Sequence, residues 1–420
     1  MSMATNQKVG PELGAAAAPK PLWRNRDYLL LWSGQAVSSV GSEASVLALP
    51  LLVLSLTHSP AQAGFTGALR SLAYLLLGLP AGAFIDRWDR KRTMMLCDAG
   101  RALALGSIPL ALALGRLTMA QLYLVSLLEG ALYVFFSLAE SAALPRVVAK
   151  TQLPAATAQN EVTGGAVTLF GPSLGGALFG VARALPFVVD AVSYAASVLS
   201  LAWIRLPLQE ERAQERRSLR ADMWEGLVWL WREPVARTFA LLHSGVVFAY
   251  SGMMLLVLVI AERQRAAPYA IGLMFGISGV GAMLGALLGA RAHRRFRLGQ
   301  IMVGAFWLFA LLWPLYAIAP SPLALSAILA AFWVADEIYD VAQISYRLAL
   351  IPNALLGRVN GVFRLVFYGC EAVGAALTGV LIQQIGVQRT ILCFAVLLVV
   401  LALAATRSRA LRAARPLAEL

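Results

Sequence analysis

The chain has 420 residues, of which 59% are hydrophobic and only 14% are charged, with a mean hydropathy of +0.71. An average soluble domain is about 45–50% apolar and about 25% charged, so this composition excludes an ordinary water-soluble protein. The formal net charge of +13 does not indicate nucleic-acid binding, because the Lys and Arg residues form short clusters between apolar segments.

Cysteine spacing and the N-terminal segment limit the remaining classes. Cys97, Cys370 and Cys393 all lie inside apolar stretches, and no metal-ligand spacing relates them. The sequence therefore predicts no disulfide framework, no metal site and no cofactor. Residues 1–25 lack the layout of a cleavable signal, and they are predicted to form a disordered cytoplasmic tail.

Twelve apolar segments reach the length of about 20 residues that a helix needs to cross a bilayer. The predicted spans are 28–56, 61–85, 93–115, 118–144, 160–182, 186–205, 238–261, 268–290, 299–319, 322–346, 358–384 and 387–406. Because backbone polar groups must be paired inside the membrane, these segments predict an all-α membrane protein of twelve transmembrane helices.

A polar interruption divides the helices into two groups of six. The predicted organisation is an N-terminal six-helix bundle at 26–206, a cytoplasmic linker at 207–236, a C-terminal bundle at 237–406 and a basic cytoplasmic tail at 407–420. Apolar residues recur at helical spacing in the linker beside several arginines, which indicates either an amphipathic helix at the membrane surface or a helix packed on the protein. The halves also echo each other, because Ser33-Gly34 follows Arg26 at the spacing at which Ser244-Gly245 follows Arg237. Two pseudo-symmetric bundles are therefore expected.

The distribution of positive charge predicts the orientation of the chain. With both termini inside, the inner segments hold 27 Lys and Arg residues and the outer loops hold five. Lys and Arg are enriched in cytoplasmic loops, so both termini are predicted to be cytoplasmic. The expected location is the inner (cytoplasmic) membrane of a bacterial-type cell.

The loop between the second and third predicted helices carries a dense charge motif. Its sequence is Gly82-Ala83-Phe84-Ile85-Asp86-Arg87-Trp88-Asp89-Arg90-Lys91-Arg92. It resembles the signature of the major facilitator superfamily, Gly-x-x-x-Asp-Arg-x-Gly-Arg-Lys/Arg. Asp89 replaces the second glycine, a variant typical of the drug:proton antiporter branch that includes macrolide-efflux and enterobactin-export proteins.

This resemblance implies a gating role for the loop. The matching positions are Gly82, Asp86, Arg87, Arg90 and Lys91. Gly82 would permit close helix contact, while Asp86 and Arg90 would form charge-assisted hydrogen bonds between the bundles and latch the outward-facing state. Asp98 and Arg101 lie one helical turn apart beyond the loop and are predicted to tie the third helix to it. The alternative, that the motif only anchors the loop inside, fits the arginines but not Asp86 or Gly82.

A second motif lies in the fifth predicted helix, Gly171-Pro172-Ser173-Leu174-Gly175-Gly176. Gly171, Pro172, Gly175 and Gly176 resemble the Gly-Pro-x-x-Gly-Gly motif of antiporters in the same superfamily, although Val167 stands where a further glycine is usual. Proline removes a helix hydrogen bond and glycine lets a neighbouring backbone approach, so a kinked and closely packed helix is expected. General packing of membrane helices is the alternative interpretation.

Several charges are predicted to lie inside the membrane, where an unpaired ion costs several kcal/mol and so indicates a functional site. Those predicted to act in proton coupling or to line a substrate cavity are Glu43, Arg70, Glu129, Asp336, Glu337 and Glu371. Glu43 and Glu129 are the leading proton-relay candidates, with Arg70 as their partner. A structural ion pair is an equally good interpretation of any single residue.

These observations predict a secondary transporter that exports small hydrophobic or cationic molecules, such as drugs, natural products or siderophores, by alternating access and in exchange for protons. A uniporter or importer of a polar metabolite is the alternative within transport. A membrane sensor or enzyme is the alternative of another class, but the sequence contains no phosphate loop, histidine cluster or nucleophile motif in its support. The expected partners are the small-molecule substrate, protons and the lipid bilayer, without nucleic acid, and the expected functional unit is a monomer.

Overall fold

The computed structural model describes residues 21–209, 219–352 and 355–412, and its regular elements in those ranges are all helical. The first half consists of the 3-10 turns Leu22–Arg24 and Lys150–Gln152 and of helices α1 (Arg26–Thr57), α2 (Pro60–Ile85), α3 (Arg90–Ala113), α4 (Met119–Val147), α5 (Leu153–Val181) and α6 (Leu185–Ala202). Each of these six helices is long enough to cross a bilayer.

The second half begins after a surface helix. Its elements are α7 (Leu219–Arg232), α8 (Pro234–Tyr250), α9 (Met253–Arg263), α10 (Pro268–Arg295), α11 (Leu298–Leu312), α12 (Leu315–Ile318), α13 (Pro322–Leu350), α14 (Leu356–Ile385), α15 (Val387–Arg407) and α16 (Arg409–Arg412). Helices α8 and α9 form one broken crossing, and α11 and α12 form another. Six crossings therefore follow the surface helix α7.

Capping side chains define where many of these helices begin. The side chains of Asn25, Ser59, Asp89, Thr118 and Ser321 each accept a hydrogen bond from the backbone N–H three residues later. Such a bond satisfies one of the four free N–H groups of the first helical turn. The short polar loops of the sequence are thus also the helix start signals.

Two predicted boundaries were wrong. The fifth helix begins at Leu153 rather than near residue 160, because the polar turn before the apolar run is already helical. The last residues of the predicted tail are ordered, since Leu22–Arg24 forms a 3-10 turn and Asn25 donates a hydrogen bond to Val147 O at 2.7 Å. Residues 1–20 of the tail, 210–218 of the linker and 413–420 of the C-terminal tail lie outside the described residues.

The surface of the bundle is apolar, as a lipid environment requires. Within the described ranges, eleven segments are long and apolar enough to cross a membrane, and α2, which contains Arg70, is the twelfth crossing by length and packing. On α3, Leu96, Leu103 and Leu110 are 72%, 77% and 62% exposed, whereas Arg101 is buried. This inverted distribution of leucine and charge confirms the predicted twelve-helix membrane fold.

The two halves meet through two pairs of helices, α2 with α14 and α5 with α10. Because α10 and α14 occupy the positions in the second half that α2 and α5 occupy in the first, the two contacts are related by the pseudo-twofold axis. We call the end that carries residues 86–89 the motif end, and the opposite end, with residues 58–59 and 182–184, the far end. The chain crosses between these ends with each helix.

Close glycine contacts bring the halves together at the far end. A methyl group on Gly64 of α2 would lie 3.0 Å from the Cα atom of Gly379 on α14, and one on Gly176 of α5 would lie 2.8 Å from that of Gly272 on α10. Ser59 Oγ also donates to Gln383 Oε1 at 2.7 Å. Backbones that approach so closely leave no room for a passage, so the far end is closed.

A bulky side chain in this contact should hold the far end open. We expect Gly176→Leu to separate α5 from α10, and the separation should appear as a longer distance between spin labels on Arg183 and Arg263. Gly180→Leu is the matched control, because a methyl group at Gly180 would still lie 3.9 Å from the nearest atom, Pro268 Cβ. Equal label distances in both variants would contradict a closed far end.

Candidate functional site

A central cavity of about 480 Å³ lies between the two halves. Its wall includes the carboxylates of Glu43 on α1, Glu337 on α13 and Glu371 on α14. The remaining wall includes the aromatic and methionine side chains of Tyr250, Met253, Met254, Phe275, Trp333 and Phe367. An apolar cavity with a few charged groups of one sign has the usual character of a small-molecule binding site.

Two further cavities continue the central one in opposite directions. Glu43 and Thr168 also line a cavity of about 610 Å³ that extends to Tyr28 and Glu161 near the motif end. Towards the far end, Glu371 belongs both to the central cavity and to a pocket of about 200 Å³. Together the three cavities form a passage that opens at the motif end and stops below the closed far end.

The acids of the central cavity have no strong counter-charge. Among the described residues, no Lys, Arg or His nitrogen lies within 4 Å of the carboxylate oxygens of Glu43, Glu337 or Glu371, and none of the lining residues is basic. A carboxylate in such surroundings is free to bind a proton or a cationic ligand. The structure thus brings together three of the six charges that the sequence predicted to lie at this depth.

Glu129 has a different environment. Its Oε2 atom lies 3.1 Å from Arg70 Nε, and its Oε1 atom accepts hydrogen bonds from Arg101 Nε at 3.1 Å and from Tyr194 OH at 3.2 Å. The Arg101 guanidinium also stacks over the Tyr194 ring, with 4.1 Å from Cζ to the ring centroid. Two guanidinium groups on one carboxylate hold it as an anion, which favours a structural ion cluster over the predicted proton relay.

Asp98 and Arg101 belong to the same cluster and not to the gating loop, so the predicted link between them and that loop was wrong. Asp98 Oδ1 lies 3.7 Å from Arg101 Nη1, and Asp98 Oδ2 accepts a hydrogen bond from Ser197 Oγ of α6 at 2.6 Å. Both residues face inward on α3, where Asp98 is fully buried. They tie α3 to α4 and α6 because they lie more than two turns along α3 from its start at Arg90, on the face that the helical period directs inward.

Among the described residues, the gating motif contacts the first bundle and the start of the linker. Arg90 donates to Ala142 O at 2.9 Å and to Leu208 O at 3.2 Å, and Lys91 donates to Ile204 O at 2.7 Å. Asp89 is the N-cap of α3. These bonds fix the loop to α4 and to the segment after α6.

Within the described ranges, the Asp86 carboxylate and Gly82 make no contact with the second bundle in this conformation. Asp86 and Arg87 are exposed, and the Asp86 carboxylate has no ion-pair partner within 4 Å in the part of the chain that the structure describes. A methyl group on Gly82 would meet no atom within 4 Å. The close helix contact predicted for Gly82 is therefore absent among these residues, and the latch predicted for the outward-facing state stays a prediction.

The glycines of the second motif form two interfaces. Gly171 packs against the Glu43 side chain and Gly175 against the backbone of Ala44, both on α1, while Gly176 faces α10 of the other half. Pro172 lies inside α5 and lines the central cavity. The same turns of α5 therefore do two things. They position Glu43 on one side, and they form part of the far-end closure on the other.

Asp336 is buried within the second bundle and lines none of the three connected cavities. Its neighbour Glu337 faces the central cavity from the same helix. Adjacent positions on a helix point about 100° apart, so only one of two consecutive acids can face the passage. The sequence did not indicate which one.

Two features of the site were not predicted. Asp190, Tyr194 and Ser197 form a buried polar stripe on α6, and their spacing of four and three residues in an apolar span could have indicated it. The seventh crossing is broken at Ser251 and Gly252, between α8 and α9, where a Ser-Gly pair interrupts the apolar run. Irregular backbone at membrane depth occurs where it lines a cavity, and Ser251 lines the central one.

Comparison with known proteins identifies the class of protein. A family model described as a transmembrane secretion effector matches residues 16–416. The enterobactin exporter EntS of Escherichia coli O1:K1 is 25% identical, over 79% of this chain and 80% of its own. The multidrug efflux pump Tap of Mycolicibacterium fortuitum is 25% identical, over 90% and 94% of the two chains.

Solved structures show the same fold. The nucleoside transporter NupG superposes with a TM-score of 0.76 at 16% identity, covering 93% of this chain and all of its own (100%). A bacterial homologue of the iron transporter ferroportin gives 0.72 in its inward-facing state, at 17% identity and 92% and 99% coverage, but 0.58 in its outward-facing state, at 18% identity and 91% and 98% coverage.

The chain is therefore closer in shape to the inward-facing structure, which agrees with a closed far end. The family match extends over nearly all of the sequence, and the relatives are transporters, not enzymes. The resemblance inferred from the loop motif is confirmed: the chain belongs to the transmembrane secretion effector family of the major facilitator superfamily.

Proposed function

We propose that the protein is a proton-coupled exporter of small amphipathic cations. The observation that carries the proposal is the central cavity, in which three carboxylates without a basic partner lie among aromatic and methionine side chains. Aromatic faces attract cations, and carboxylates that are not neutralised by arginine attract them further. A polar, uncharged metabolite would gain little from either feature.

The direction of transport is inferred from the charge distribution of the loops. The motif end carries most of the Lys and Arg residues, which favours a cytoplasmic position for it and for both termini in the inner membrane. The passage opens at this end, so a cation from the cytoplasm or inner leaflet would pass Glu161 and reach Glu43 before the other two acids of the central cavity. Export then requires the far-end glycine contacts to separate while the motif end closes.

Glu371 and Glu43 are the proposed proton carriers. Each belongs to two adjoining cavities, Glu43 to the motif-end and central ones and Glu371 to the central one and the far-end pocket. A carboxyl group in this position can hold either a proton or a cation but not both, because a protonated acid has lost the charge that attracts the cation. Because a proton and a cationic substrate compete for the same carboxyl group, the inward flux of protons is coupled to the outward flux of the substrate.

Removal of the charge at Glu371 should uncouple the transporter. We expect Glu371→Gln to reduce accumulation of tetraphenylphosphonium, driven by a pH gradient, in proteoliposomes to nearly the level of empty liposomes, because the amide cannot exchange a proton. Glu262→Gln, at an exposed position near the far end, is the control. Proton-driven uptake that is unchanged in both variants would contradict Glu371 as a carrier, and uptake that is insensitive to a protonophore in the wild type would contradict proton coupling.

Glu129 should behave as a structural residue. Glu129→Gln leaves Arg70 and Arg101 without their anion, and removal of one partner of a buried ion pair typically costs about 3–5 kcal/mol. We therefore expect a clearly lower unfolding temperature in detergent for Glu129→Gln, whereas Glu371→Gln, which breaks no ion pair, should unfold close to the wild type. Equal stability of the two variants would show that the cluster is not a structural anchor.

Asp86 is proposed to act only in the outward-facing state, as the latch that the motif implies. Loss of a charge-assisted hydrogen bond costs about 1.5–3 kcal/mol, so Asp86→Asn should lower export about tenfold or more without loss of stability. The measurement is drug susceptibility of an efflux-deficient bacterial host that produces each variant in equal amount. Asp89→Asn is the control, since asparagine also caps a helix. Equal protection by both variants would contradict the latch.

A further inference from the structure

The pocket of about 200 Å³ on the far side of Glu371 has six hydroxyl groups among the apolar side chains of its wall, and it joins the central cavity. We call it the hydroxyl pocket. Its hydroxyl groups come from three crossings of the first half and from the break between α8 and α9, and they are those of Ser42, Ser45, Thr66, Ser71, Ser126 and Ser251. Arg70 completes the polar wall. Ser71 is close enough to the Glu371 carboxylate to donate a hydrogen bond to it, and the other five hydroxyl groups have no part in the proposed proton exchange.

The hydrogen-bond directions show what the hydroxyl groups offer to a ligand. Ser42 donates its proton to Ser38 O at 2.8 Å, and Ser251 donates to Phe248 O at 3.1 Å. Thr66 and Ser126, deeper in the wall, donate to carbonyl groups of their own helices in the same way. A hydroxyl that donates to its own backbone keeps lone pairs for a second partner. Ser42 Oγ already has such a partner in Tyr194 OH at 2.6 Å, whereas the half-buried Ser251 can accept a hydrogen bond from a ligand.

Arg70 adds donors to this wall. Its Nε atom faces Glu129, but across the described ranges neither terminal nitrogen has a hydrogen-bond acceptor, and the side chain is 32% exposed. The guanidinium group can therefore donate into the pocket while it stays paired with Glu129. A wall that offers both hydrogen-bond acceptors and donors suits a ligand group that can donate and accept hydrogen bonds, such as a hydroxyl or an amide.

The charge balance excludes an anionic occupant. The two arginines of the adjoining cluster, Arg70 and Arg101, are matched by Glu129 and Asp98, and Glu371 adds a further acid to the wall. A carboxylate or phosphate would meet no net positive charge here and would be repelled by Glu371. A neutral polar group is therefore the occupant that the pocket fits.

The break at Ser251 and Gly252 is the second, independent sign of a ligand site. Interrupted membrane helices commonly line the substrate sites of transporters, because the loosened backbone is tolerated only beside a cavity. Ser251 and Met254, on either side of the break, line both the hydroxyl pocket and the central cavity. The break thus lies where the two spaces join.

From this arrangement we infer that the hydroxyl pocket is a substrate subsite for a neutral, hydroxyl- or amide-bearing end of an amphipathic cation. The inference rests on the proposed function, in which the cationic centre lies near Glu371 and the apolar body lies in the central cavity. The preferred substrates are then cations with a polar, hydrogen-bonding end, and cations that are apolar throughout bind less selectively.

A matched pair of phosphonium ions tests the subsite. Butyltriphenylphosphonium and hydroxypropyltriphenylphosphonium have nearly the same size and charge, and they differ in a terminal methyl or hydroxyl group. Their dissociation constants are measured on the full chain in lipid nanodiscs, for the wild type and for Ser251→Ala. We expect this variant to lose about two- to tenfold in affinity for the hydroxyl compound, the value of about one hydrogen bond, and to bind the butyl compound as before.

The control is Ser244→Ala, which removes a half-buried hydroxyl group from α8 that lines neither cavity. This variant should bind both compounds as the wild type does, and thermal unfolding should show that both variants are folded. Equal loss for both compounds, or no loss, in Ser251→Ala would overturn the subsite and leave the proposed function intact. Failure of the wild type to bind either cation would overturn the cationic substrate class and the subsite with it.

Discussion

The Glu129 carboxylate lies between the guanidinium groups of Arg70 and Arg101, and this interaction joins α2, α3 and α4 inside the first bundle. Charges buried in a membrane protein must face one another or a wet cavity, so each of these side chains fixes the rotation of its helix. Through Asp98 and Ser197 the cluster extends to α6. The first bundle is thereby held as one body, which is what a rocking transporter requires of each half.

The same chemistry leads to opposite roles at Glu129 and Glu371. Both are glutamates on long crossing helices, and both line the hydroxyl pocket. Glu129 has two arginines and a tyrosine as partners, so its charge is neutralised permanently. Glu371 has no cationic group within ion-pair distance among the described residues, so its charge is available to a proton or a substrate. Arg70 stands between the two acids, and its pairing with Glu129 keeps Glu371 free.

The sequence was sufficient for the fold, since apolar length, loop charge and the two glycine motifs each depend on local order along the chain. It was not sufficient for the partners of the buried charges, because these depend on which helices are neighbours. Asp98 and Arg101 were assigned to the gating loop for their closeness in sequence, although the helical period turns them towards Glu129. Asp336 and Glu337 were both predicted to act in proton coupling or to line a substrate cavity, but only Glu337 lines the passage. The break at Ser251 and Gly252 stayed hidden, because the apolar run continues on both sides of it.

The glycine contacts also explain why a single helix can carry both the closure and the proton site. On α5, Gly171 packs against the Glu43 side chain, and Gly176, little more than one turn further, packs against Gly272 of the other half. Any movement that separates α5 from α10 must therefore act on the helix that supports Glu43. Because glycine has no side chain to absorb such a shift, the displacement is passed directly from backbone to side chain. The far-end contact and Glu43 are thus mechanically connected through α5. The protonation of Glu43 can therefore respond to the opening of the contact between α5 and α10, although Glu43 is not part of that contact.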